Sequence, residues 1–168
     1  FSNIWAMENP FLKKYNTEFE IPPFSKIDES DFMPAFTMGI EAHKKEIDSI
    51  IKNSENPSFE NVIIALEKSG SLLDRVGAVF FNLSGSTSNE EIQNIEKDIS
   101  PILSQHYDSI SLNPEIFQKI KYLWDNADDL SLSSEERKIL EERYKNFIRN
   151  GALLEGPEKE SYSSINQE

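Results

Sequence analysis

A chain of 168 residues is 38% hydrophobic but carries 11 Phe, 5 Tyr and 2 Trp, enough apolar area for one folded domain and unlike the aromatic-poor composition of disordered segments. Thirty Asp and Glu against 17 Lys and Arg leave a net charge of -13, which repels phosphate backbones and anionic headgroups and argues against nucleic acid and membrane partners. The absence of cysteine excludes disulfides, zinc ribbons, iron–sulfur clusters and thiol nucleophiles, and leaves the redox compartment open.

In chain order, the first expected element is an arm over residues 1–27. Pro10, Pro22 and Pro23 with scattered aromatics favour extended backbone, and Trp5, Phe11, Tyr15, Phe19 and Phe24 are expected to anchor it on the body that follows, with binding of a partner as the alternative use. Residues 28–168 form that body. A helix begins at Asp31, tolerating Pro34 in its first turn, with Phe32, Phe36, Ile40, His43, Ile47 and Ile50 on one face, and ends near Lys52. Asn56 and Pro57 turn the chain into a Ser58 cap. The next stretch, SFENVIIALEKSGSLLDRVGAVFFNL, reads as one continuous helix from Phe59 to Leu83, roughly 25 residues and about 37 Å long. Ser69, Gly70, Gly77 and Ala78 interrupt its apolar stripe, so close approach by another backbone is expected there.

After a polar loop, Ser88 and Glu91 have capping-box spacing and open a helix with Ile92, Ile95, Ile99, Ile102, Leu103 and His106 on one face, bent at Pro101. Asn113 and Pro114 start the next, carrying Ile116, Phe117, Ile120, Leu123 and Trp124. Ser133 and Glu136 form a further box before Ile139, Leu140, Tyr144, Phe147 and Ile148, and Asn150 with Gly151 stops that helix. A last stripe from Pro157 through Tyr162 and Ile165 has no stop signal, and the expectation is a chain that continues past Glu168. No segment alternates like a strand. The fold class read from the sequence is all-α: an antiparallel, bundle-like array of about six helices with an extended N-terminal arm.

Residues that carry chemistry are sparse. His43 and His106 are the only histidines, both on apolar stripes and neither in the paired spacing of a zinc helix. The neighbouring acids Asp28/Glu29, Glu90/Glu91, Asp128/Asp129 and Glu135/Glu136 fall mostly at helix starts, where the dipole favours negative charge, and read as caps. No nucleophile elbow, Ser-x-x-Lys or phosphate loop is present. No catalytic, cofactor-binding or metal residue is expected in this stretch. No apolar run nears the roughly 20 residues that span a bilayer, and FSNIWAMENP lacks a signal-peptide layout. A chain beginning at Phe1 without Met is expected to have been cleaved or trimmed, so a soluble protein of either the cytoplasm or the periplasm fits.

Long runs of the sequence resemble one family. NPFLKKYNTEFEIPPFSKI, then PAF, SFENVIIALEKSG, LLDRV and VFFNL, then YKNFIRNGALL and the closing INQE occur in order. They are similar to the N-terminal region of peptidyl-dipeptidases, also called dipeptidyl carboxypeptidases, in the thimet oligopeptidase group of zinc metallopeptidases. The resemblance implies an almost wholly helical enzyme whose two halves enclose a channel for short peptides, with zinc held by a His-Glu-x-x-His helix and a later Glu in the C-terminal part. None of that motif is in this sequence. The expected role is therefore a wall or lid of the channel, with the C-terminal catalytic part and short peptide substrates as partners and zinc in the whole enzyme only. The alternative is a stand-alone helical interaction module derived from that region.

Overall fold

The computed structural model describes residues 9–86 and 89–154. Among them are no strands and six α-helices: α1 Phe32–Lys52, α2 Ala65–Lys68, α3 Ser71–Ser86, α4 Glu90–Ser111, α5 Pro114–Asp125 and α6 Ser134–Arg149. The all-α expectation holds. The chain divides into two compact units, unit 1 from Phe1–Lys45 with Gly70–Ile102 and unit 2 from Glu46–Ser69 with Leu103–Glu168.

Unit 1 is built on phenylalanine. Phe11, Phe32, Phe36 and Phe80 are all fully buried. Phe32 tilts against Phe11 at 5.2 Å and meets Phe80 edge-on at 5.0 Å, and Phe36 meets Phe80 edge-on at 5.3 Å. Each such pair contributes about 0.5–1.5 kcal/mol beyond the burial of its surface. The arm reaches this cluster through four three-residue 3₁₀ turns, Pro10–Leu12, Glu18–Glu20, Phe24–Lys26 and Glu29–Asp31, with extended residues at Lys13, Thr17, Ile21 and Ile27. Buried Asn9 fastens it: its side-chain oxygen accepts from the Phe11 N–H at 3.0 Å, and its amide donates to the Asp31 carbonyl at 2.8 Å. Phe11 and Tyr15 anchor the arm, but Phe19 and Phe24 are exposed, which corrects the expectation that they too face inward. Trp5 lies outside the described residues.

Unit 2 gathers Ile47 and Ile50 from the end of α1, Val62 and Ile63, Ile116, Ile120 and Leu123 of α5, and Leu140 and Phe147 of α6. Phe117 stacks on Tyr144 and Phe147, and Tyr144 stacks on Trp124 with ring centroids 5.0 Å apart. The caps seen in the sequence form. The Asn113 side chain accepts from the Glu115 and Ile116 N–H groups at 2.9 and 3.1 Å. Ser133 Oγ accepts from the Glu136 N–H at 3.2 Å, and Glu136 Oε2 accepts from the Ser133 N–H at 2.8 Å. Gly151, at φ 85°, turns the chain after α6. Ile102 and Ile139, placed on core faces by their spacing, are 44% and 39% exposed. Ser88 and the stripe after Pro157 lie outside the described residues. The α4 cap that is seen is Asn89, whose side chain accepts from the Ile92 N–H at 2.8 Å.

The continuous helix expected from Phe59 to Leu83 is instead broken. A π-helical turn over Phe59–Ile64 leads into α2, Ser69 becomes extended, and α3 starts afresh at Ser71. Gly70 makes the break by adopting φ 79°, a left-handed conformation costly for residues with a Cβ. The His43 ring fills the space beside it, so a Cβ at Gly70 would lie 2.9 Å from Cε1 and Nδ1. Gly77, in contrast, has only the Phe81 ring at 3.9 Å from where its Cβ would be. The close backbone approach occurs at Gly39 of α1, where a Cβ would stand 3.0 Å from the Leu73 Cα.

Three substitutions read out this arrangement in denaturant unfolding. Leu73→Ala, removing a side chain 1% exposed, is expected to cost about 2–5 kcal/mol. Gly70→Ala is expected to cost about 2 kcal/mol or more, from the left-handed backbone and the His43 clash together. Gly77→Ala is expected to be neutral or stabilising by up to about 1 kcal/mol; a loss as large as at Gly70 would show that α3 is crowded where it is open.

Candidate functional site

Both histidines are buried. His43 on α1 is 8% exposed, with its ring against Gly70, and His106 on α4 is 3% exposed, with its ring 5.5 Å from Tyr107. Among the described residues no group of three or more His, Asp or Glu side chains converges as metal ligands. The acidic pairs split between capping and ion pairing. Asp28 lends its N–H to the Asp31 carboxylate at 2.9 Å, and Glu90 and Glu91 occupy the first turn of α4. Asp128 pairs with Arg137 at 2.8 Å. Glu136 is held below the usual carboxylate range by the Ser133 backbone N–H and then the Ser133 side chain.

A concavity of about 410 Å³ lies in unit 2 between Glu67 and the Lys138, Ile139, Glu142, Arg143 and Asn146 face of α6. Its charges neutralise one another. Arg143 pairs with Glu67, and Lys138 with Glu142 at 2.9 Å and Glu141 at 3.2 Å. Glu142 is held low by its hydrogen bond from Lys138, and Glu141 by those from Lys145 and then Lys138. Carboxylates kept ionised in this way are poor proton donors at neutral pH, and the concavity offers shape and weak surface ion pairs.

Two constellations in unit 1 escaped the sequence reading, since each joins residues about 60 positions apart. Tyr15 lies beneath the Arg75 guanidinium, 5.3 Å from ring centroid to Cζ. Burial raises the Tyr15 phenol, opposed by the Arg75 charge, and its hydroxyl has no hydrogen-bond partner among the described residues. At the start of α4 the Asn89 amide donates to Glu29, which also hydrogen-bonds Glu91. That bond, then repulsion from the Glu29 carboxylate, holds the Glu91 carboxyl above its ordinary range. An acid with a raised folded-state pKa stabilises the fold below its unfolded pKa, and that contribution is lost as pH rises through the folded value. Glu91→Gln, which keeps a hydrogen-bonding side chain without the charge, is therefore expected to raise the melting temperature at pH 7 by about 1–2 °C. At acid pH, where the Glu91 carboxyl is protonated, it should change nothing. Equal melting at both pH values would show that the two acids do not interact.

No protein-family model matches the chain. Among curated proteins it is 34% identical over 160 residues to dipeptidyl carboxypeptidase of Escherichia coli, covering 95% of this chain and 24% of that protein. The Salmonella typhimurium dipeptidyl carboxypeptidase is 30% identical over the same share of each chain. Oligopeptidase A of Escherichia coli is 22% identical over 159 residues, 95% of this chain and 23% of the relative. The chain thus spans about a quarter of the length of these relatives. Over nearly its whole length the chain is thus similar to about a quarter of dipeptidyl carboxypeptidase and of oligopeptidase A, which is consistent with an N-terminal region of a thimet-oligopeptidase-family peptidase.

Proposed function

We propose that this chain is the non-catalytic N-terminal helical region of a zinc-dependent peptidyl-dipeptidase, forming a wall or lid of the channel through which short peptides reach a C-terminal catalytic part. The observation that carries this reading is the similarity over 95% of the chain to a 24% portion of dipeptidyl carboxypeptidase. The side chains are compatible with it: both histidines are buried in packing, and the acids that are paired serve caps and lysine or arginine partners. Zinc belongs, on this reading, to the rest of the enzyme. The described residues of this region provide no donor set for the ion, and no step is assigned to it here.

The test compares two polypeptides, the 168-residue chain and the same chain extended through the coding sequence that follows Glu168. The longer one is expected to release dipeptides from the C-termini of short N-blocked peptides, to lose that activity with a chelator and to regain it with zinc. The 168-residue chain is expected to release none. Chelator-sensitive cleavage by the short chain would overturn the non-catalytic assignment, and a stop codon directly after Glu168 would favour the stand-alone interaction module.

A further inference from the structure

The arm carries the most exposed large apolar side chain among the described residues. Phe19 is 86% exposed, and Ile21 and Phe24, two and five residues on, are each 50% exposed. The segment is held in shape by its own bonds. The Ile21 N–H donates to the Glu18 carbonyl at 3.4 Å, the Phe24 N–H to Pro22 at 2.8 Å and the Lys26 N–H to Pro23 at 2.8 Å. The Thr17 hydroxyl donates to the Ile21 carbonyl, and the rings of Pro22 and Pro23 fix two further φ angles. Phe19 itself sits at φ 58°, ψ 22°, a left-handed conformation in which a bulky residue is strained. A rigid, strained turn that holds a phenyl ring in water is the form of an anchor whose pocket is supplied by another surface.

We propose that Phe19, Ile21 and Phe24 form a preorganised apolar prong that docks on the polypeptide following the matched region in the parent peptidase. This rests on the reading above that the chain is the N-terminal region of such an enzyme. Two observations select this occupant. The match takes up only 24% of dipeptidyl carboxypeptidase, so most of that relative's surface lies outside it. A second copy of this chain is the poorer occupant, because two molecules each at -13 repel. Exposed Glu18 precedes Phe19, so the fitting pocket is apolar with a basic rim. Rigid turns lower the ordering cost of docking, which is the use of Pro22 and Pro23 here.

Hydroxyl-radical labelling read by mass spectrometry tests this on the 168-residue chain and on the chain extended past Glu168. Labelling of Phe19 is expected to fall about tenfold in the longer chain, in proportion to the area covered, from 86% exposed to under a tenth. Phe24 should be protected with it, while fully buried Phe11 stays unlabelled in both. Equal labelling of Phe19 in a longer chain that cleaves peptides would overturn the prong and leave the peptidase reading standing. Protection that grows with the concentration of the short chain would assign the prong to self-association and overturn the occupant. A coding sequence with no catalytic part after Glu168 would overturn both readings. Phe19→Gly, which relieves the left-handed strain, is expected to leave the short chain's melting temperature unchanged or raised while restoring Phe24 labelling several-fold in the longer chain. A lower melting temperature of the short chain would show that unit 1 itself holds the ring.

Discussion

The left-handed turn at Gly70 is the constraint on which the packing of unit 1 around α3 depends. A residue with a Cβ would resist φ 79° and would collide with the His43 ring, so the break between α2 and α3 depends on glycine. With glycine there, α2 ends where the Ser69 hydroxyl donates to the Leu66 carbonyl at 2.8 Å, and α3 starts afresh at Ser71. That places Leu73 against Gly39 and lets Phe80 reach Phe32 and Phe36. The His43 ring occupies the space that the missing side chain leaves.

Charge is used differently from shape. An excess of 13 negative charges is distributed to helix starts, where Glu90, Glu115 and Glu135 sit in first turns, and to exposed pairs along α6. Such placements stabilise by fractions of a kcal/mol each and keep the surface hydrated. They do not converge on a reacting atom. The exposed aromatic turn at Phe19 belongs to the same picture, because an apolar group in water has its use at an interface.

What the sequence determined by itself was whatever local hydrogen bonding and strong periodicity decide. The start of α5 at Asn113 and Pro114, the Ser133–Glu136 box and the stop at Gly151 each depend on groups within four residues, and all three form. The buried faces of Ile116, Ile120 and Leu123 were legible for the same reason. Tertiary structure decided the rest. An amphipathic stripe is wider than the contact it makes, so spacing alone could not show that Ile102, Ile139 and Phe19 would be left in water. A glycine inside a helical pattern signals a break or a close approach with equal force, and only the position of His43 made Gly70 the break and left Gly77 unremarkable. The Glu29–Asn89–Glu91 and Tyr15–Arg75 groupings had no trace in the sequence, because their members meet across about 60 residues of chain and pairing at that range is set by packing, not by spacing.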